Sequence, residues 1–238
     1  AVFAKVILTK EPVYQAFASE IPDIYLNIIR KNPEIASLHL SFHPQGVVMY
    51  AKADNNIVRQ IEENVLKQAF RSFAPQQQAR GGITFTYCPD TGNKFFGYYE
   101  YNGVWVASYS KKLLEEVAAI QRKQKNNLSK EQMRLRKTLD NNAPVNLLIQ
   151  SKLLDLYVKS NDSTQWRVSD RWLAADLFES EGNICYFSSL SYLEPADTLF
   201  RTIADTLAVR LEQRFPQLHI SNQIYEENGK FFYTGCTF

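Results

Sequence analysis

The sequence predicts an α+β fold, an antiparallel sheet built from repeated β-hairpin–helix units with amphipathic helices packed mainly on one face. Three observations point to it. Four strand-turn-strand patterns are centred on glycines: LHLSFHPQGVVMYAK around Gly46, FFGYYEYNGVWVASY around Gly103, WLAADLFESEGNICYFSS around Gly182 and NQIYEENGKFFYTG around Gly229. Two of these turns are Asn-Gly pairs, whose backbone preference matches the right-handed twist of paired strands. A helix-like segment follows each of the first three hairpins.

In chain order, AVFAKVILT reads as a strand. From Pro12 to Asn32 the residues Val13, Tyr14, Phe17, Ile21, Ile24, Tyr25, Ile28 and Ile29 form a helical stripe. Pro22 interrupts it, which predicts two short helices or a kink, because proline fits only the first turn. The first hairpin opens with Leu38, Leu40 and Phe42 alternating with His39, Ser41 and His43, a half-buried strand. Asp54 or Asn55 caps a helix with inner stripe Ile57, Ile61, Val65, Leu66, Ala69, Phe70 and Phe73, ended by Pro75 and the neighbouring glutamines. Residues 83–87 then form a strand, and CPDTGN leads into the second hairpin to complete a three-stranded meander.

Ser110 caps the next helix, with Leu113, Leu114, Val117 and Ile120 inward, and Ser129 with Gln132 makes a capping box for a helix to about Leu139. The apolar run VNLLIQ is a strand buried on both faces or a short core segment. After the third hairpin, Pro195 opens a helix that carries Leu199, Ile203, Leu207 and Leu211 at four-residue spacing. The units are unevenly spaced, so this is no solenoid. The organisation is either a single domain over 1–238 or two closely packed similar halves, about 1–126 and 127–238.

With 45% hydrophobic and 22% charged residues in 238, the chain is an ordinary folded protein, far from the disordered regime. No run approaches the ~18 consecutive apolar residues of a membrane helix. The chain begins at Ala1 without a signal-peptide pattern, which reads as a processed or excised product and leaves room for a membrane tether through a removed N-terminus. Nine Lys/Arg against three Glu between Lys111 and Lys137 make a basic stretch. It has no interleaved aromatic residues for base stacking and reads as a solvated helix face, so nucleic acid is not expected as a partner. Cys88, Cys185 and Cys236 are too few and too widely spaced for a zinc ribbon or redox motif. They read as small buried thiols, or as one disulfide and a free thiol in an exported protein.

Chemistry-bearing motifs are sparse. His39 and His43 on a strand stand about 13 Å apart at ~3.3 Å per residue, too far for one metal, and His219 is alone. Ser188, Ser189 and Ser191 fall where turn formation and capping explain them, and no glycine-rich phosphate loop is present. No catalytic residue, metal ligand or cofactor is assigned. The hairpin at 95–109 is apolar on both faces. One carries Tyr99, Tyr101, Val104 and Val106, the other Phe96, Tyr98, Trp105 and Tyr109. Either both are covered in a thick core, or the Phe96, Tyr98, Trp105 and Tyr109 face is an exposed binding surface.

The passages GVWVASYSKKLLEEV and VNLLIQSKLL, with Trp172 and Asp176 before the Gly182 turn, carry a resemblance over about Phe95 to Phe215. This span resembles an uncharacterised domain-of-unknown-function family of Bacteroidetes cell-envelope proteins. The resemblance implies an exported, periplasmic or envelope-associated protein and brings no known catalytic residues. In that setting Asp162-Ser163-Thr164 fits an O-glycosylation acceptor at Ser163. The expected function is a non-catalytic envelope domain binding a protein or glycan partner. The alternatives are a hydrolase whose residues converge only in three dimensions, or a structural module of a larger envelope protein.

Overall fold

The computed structural model describes residues 2–7, 21–35, 37–72, 74–123, 129–150, 172–180, 183–190, 220–227 and 230–237. The chain divides into two compact units, Ala4–Thr9 with Gln15–Asn127, and Ala1–Phe3 with Lys10–Tyr14 and Leu128–Phe238. The class is α+β with antiparallel hairpins, as the periodicities require.

The amino-terminal unit contains β1 (Val2–Ile7) from Ala4 onward, α1 (Asp23–Lys31), β2 (Ser37–His43), β3 (Gly46–Lys52), α2 (Asn55–Ile61), a π-helical turn (Glu62–Leu66), α3 (Lys67–Ala69), β4 (Gln76–Arg80), β5 (Ile83–Asp90), β6 (Lys94–Tyr101), β7 (Val104–Ser108) and α4 (Lys111–Arg122). Its strand order is β1-β2-β3-β7-β6-β5-β4, antiparallel from β2 onward. Helix α1 starts directly after Pro22, and the preceding stripe to Phe17 lies outside the described residues. Asp54 caps α2 by accepting from the amides of Asn56 and Ile57 at 3.0 and 2.9 Å, and Ser110 caps α4 by accepting from Leu113 at 3.3 Å.

The expected Asn-Gly turn is present. Asn102 and Gly103 have φ of 52° and 74°, and Tyr101 stands opposite Val104. A type I′ turn needs positive φ at both positions, which asparagine and glycine supply at least cost. A second two-residue turn was not foreseen. Gly81 and Gly82 have φ of 59° and 79° and join β4 to β5, with Arg80 opposite Ile83. The glutamines that read as a helix stop belong to this extra strand, and all five residues of β4 are exposed. A fully solvated strand has no apolar alternation to betray it.

The register explains the packing. Tyr99, Val106, Val48, Phe85, Tyr87 and Ile83 share one face and pack with Leu113, Leu114 and Ala118 of α4. Gly97 lets α4 approach, because a β-carbon there would stand 2.9 Å from both Leu114 Cδ2 and the Tyr87 ring. The opposite face carries Phe96, Tyr98 and Trp105 and lies under α1 and the turn after α2. There the Tyr25 hydroxyl sits 3.0 and 3.1 Å from the carbonyls of Val47 and Ala107, Phe70 stacks on Phe96, and Tyr98 donates to Glu62 at 2.7 Å. The helices of this unit therefore divide between the two faces instead of lying mainly on one. Both faces of the ribbon are apolar, so both need cover.

The carboxy-terminal unit contains α5 (Lys130–Arg136), β8 (Val145–Gln150), β9 (Trp172–Ser180), β10 (Asn183–Leu190), β11 (Ile220–Glu227) and β12 (Lys230–Thr237), with antiparallel order β8-β9-β10-β12-β11. The capping box forms as expected. Ser129 Oγ accepts from the Gln132 amide at 3.1 Å, and Gln132 Oε1 accepts from the Ser129 amide at 2.7 Å. The helix stops at Arg136, short of Leu139. In VNLLIQ only Val145 and Asn146 are buried, and the other four are half-buried. Glu227 pairs with Lys230, leaving a two-residue connection whose Asn228-Gly229 pair lies outside the described residues. The Gly182 turn and the helix expected from Pro195, with Leu199, Ile203, Leu207 and Leu211, also lie outside them.

Candidate functional site: an open sheet edge beside a basic groove

The four aromatic residues singled out from the sequence do not form an exposed surface. Phe96 and Trp105 are wholly buried and Tyr98 is 7% exposed, while Tyr109 alone is accessible at 37%. Phe96 is edge-on to Tyr109 at 5.3 Å and tilted against Trp105 at 6.4 Å, so the group is one core cluster with a single ring at its rim. Burial, with Asp90 second, pushes the Tyr109 hydroxyl up to about 12. The thick-core alternative is the one the structure adopts. Ser163 lies outside the described residues.

Other polar groups of interest are internal. The Ser41 hydroxyl is 2.9 Å from His43 Nε2 and 3.0 Å from the Tyr50 hydroxyl. Burial pushes the imidazole below its ordinary value. Ser41 is wholly buried, so the three groups bridge within the sheet and do not present a nucleophile to a substrate. His39 contacts Ser37 instead, at 3.3 Å, and the two histidines do not converge. Cys88 is a buried thiol pushed up to about 11, first by burial and then by Glu62. In the carboxy-terminal unit, Asp176 accepts from the Asp140 amide at 2.8 Å and from Asn146 Nδ2 at 2.6 Å, tying the turn after α5 to strands β8 and β9. Asp176, singled out from the sequence before the Gly182 turn, thus has a structural task.

The accessible feature lies at the far edge of the amino-terminal unit. Among the described strands, none pairs with the outer side of β4. Its pairing with β5 is continuous from Gln76–Tyr87 to Arg80–Ile83, without a bulge. On the α4 side a groove of about 310 Å³ is lined by Arg80, Phe85, Lys112, Glu115, Glu116, Ala119 and Arg122. Arg80 pairs with Glu115 at 2.7 Å, and Lys112 lies 3.9 Å from Glu116. Arg122 donates to the Gly81 carbonyl at 3.3 Å and lies where a side chain on Gly81 would stand. Lys111 donates to Gln78 at 3.3 Å and sits 4.9 Å from the Tyr87 ring centre. Sequence reasoning missed this site. Its one signal was the Gly81-Gly82 pair, which is a hairpin turn signature when a strand lies on both sides.

No protein-family model and no curated protein sequence matches the chain. Solved structures do. Crystal form I of TP0453 superposes with a TM-score of 0.58 at 11% identity, covering 100% of this chain and 88% of that one. Crystal form III of TP0453 gives 0.55 at 11%, covering 99% and 89%. At this identity the likeness is one of fold.

Proposed function

We propose that this protein is a non-catalytic binding domain that takes a protein partner as an extended segment added to the β4 edge. The observation that carries the reading is the open edge itself. Proteins ordinarily blunt such an edge with a proline, a bulge or inward charges. Residues 76–79 are Gln-Gln-Gln-Ala in unbroken register, with Pro75 before them. An added strand would gain main-chain hydrogen bonds from β4, and its alternate side chains would meet the groove. An envelope or periplasmic setting belongs to the same proposal and rests on the family resemblance. No helix among the described residues is long and apolar enough to cross a membrane.

The test is selection of random peptides on the intact chain, followed by backbone-amide chemical shifts. Selected peptides should perturb 76–80 and lose binding when alternate peptide amides are methylated. Binders that map elsewhere, or a glycan that binds where peptides do not, would overturn the reading. So would a concentration-dependent dimer that protects the β4 amides, because a second copy would then be the occupant.

A further inference from the structure

Resting on that reading, we infer that the added segment is acidic, with carboxylates at alternate positions on its α4-facing side. Gln76, Gln78 and Arg80 stand opposite Tyr87, Phe85 and Ile83, so they share the face that α4 covers. An added strand in register puts every second side chain on this face. The charges waiting there are not balanced. Glu115 is committed to Arg80 and Glu116 lies nearest Lys112. Lys111 and Arg122 contact an amide oxygen and a backbone carbonyl, and among the described residues neither forms an ion pair within 4.0 Å.

The two cations flank the strand at Gln78 and Gly81, about 10 Å apart along an extended chain. Same-face residues of an added strand recur every ~6.6 Å, and flexible Lys and Arg side chains reach across the difference. Phe85 and Ala119 supply an apolar wall against which the methylenes of a glutamate would lie. Arginine also offers a carboxylate a two-pronged donor. A neutral or basic segment would leave both cations facing groups that do not neutralise them.

The experiment compares fluorescein-labelled (Thr-Glu)4, (Thr-Gln)4 and (Thr-Lys)4 on the intact chain. The acidic peptide should bind at least tenfold more tightly than the neutral one and should shift the amides of 76–80. Its advantage should shrink as ionic strength passes ~0.15 M, where the screening length falls to about 8 Å. A Lys111→Gln/Arg122→Gln variant should bind it no better than the neutral peptide, while Lys123→Gln, outside the groove, should leave affinity unchanged. Equal binding of acidic and neutral peptides at β4 overturns the acidic preference and leaves strand addition standing. Acidic peptides that bind without shifting 76–80 overturn strand addition itself. If none of the three binds while library-selected peptides do, the acidic inference alone falls.

Discussion

Tyr87 places a hydroxyl inside the amino-terminal unit with no hydrogen-bond partner among the described residues, while its ring stacks on Phe85 and lies beneath Lys111. A buried unpaired polar group costs about 1–3 kcal/mol. Tyr87→Phe is therefore expected to leave the denaturation midpoint unchanged or raise it, and a clear loss in urea titration would show that the hydroxyl has a partner. The same residue gives a pH prediction. Tyr87 is pushed up to about 12 by burial and then Glu115, and Tyr109 to about 12 by burial and then Asp90. An unfolded tyrosine ionises near 10. The folded chain thus holds protons that the unfolded chain releases. Stability should be full below pH ~10 and fall as pH rises toward 12. The slope should be shallower in Tyr87→Phe and in Tyr109→Phe.

Between α4 and the sheet, contact is set by the absence of a side chain at Gly97. Gly97→Ala puts a methyl 2.9 Å from Leu114 Cδ2 and the Tyr87 ring, and overpacking of this kind costs about 1–3 kcal/mol. Leu114→Ala should cost roughly 2–5 kcal/mol, since Leu114 is wholly buried. Combined, they should cost less than their sum, because truncating Leu114 removes one of the two clashes. Strict additivity in a urea double-mutant cycle would place the two residues out of contact. Helix starts were readable here because capping is a matter of three or four adjacent residues, as at Asp54, Ser110 and Ser129. The inward stripe of α4 was readable only in part. Its sheet-facing line runs through Leu114 and Ala118 to Gln121, which accepts from the Tyr99 hydroxyl at 2.6 Å. That line turns Ile120 outward, leaving it 50% exposed. A hydrogen bond from a distant strand carries no mark in the helix's own sequence.

For the chain as a whole, the hairpins were legible and the candidate site was not, and the reason is sequence distance. Asn102-Gly103 announces a local turn. That β4 ends a strand order, and that α4 carries its cations beside it, depends on residues about thirty positions apart. The doubly apolar ribbon was visible at once. Whether its second face would be covered turned on α1 and Phe70 packing across Phe96, again a long-range matter.

The same arrangement predicts a gradient of hydrogen exchange across the amino-terminal unit. Strands β6 and β7 each pair on both sides and lie under buried residues on both faces. Their amides should open only in large-scale unfolding and exchange most slowly. The outward amides of β4 have no strand partner among the described residues and no burial, and should exchange fastest among the strands of this unit. Addition of a bound acidic peptide should slow exchange at 76–80 while leaving β6 and β7 unchanged, because strand addition protects only the edge that receives it. If the outward amides of β4 are as protected in the free chain as those of β6, that edge is already occupied in solution, and it cannot receive a partner.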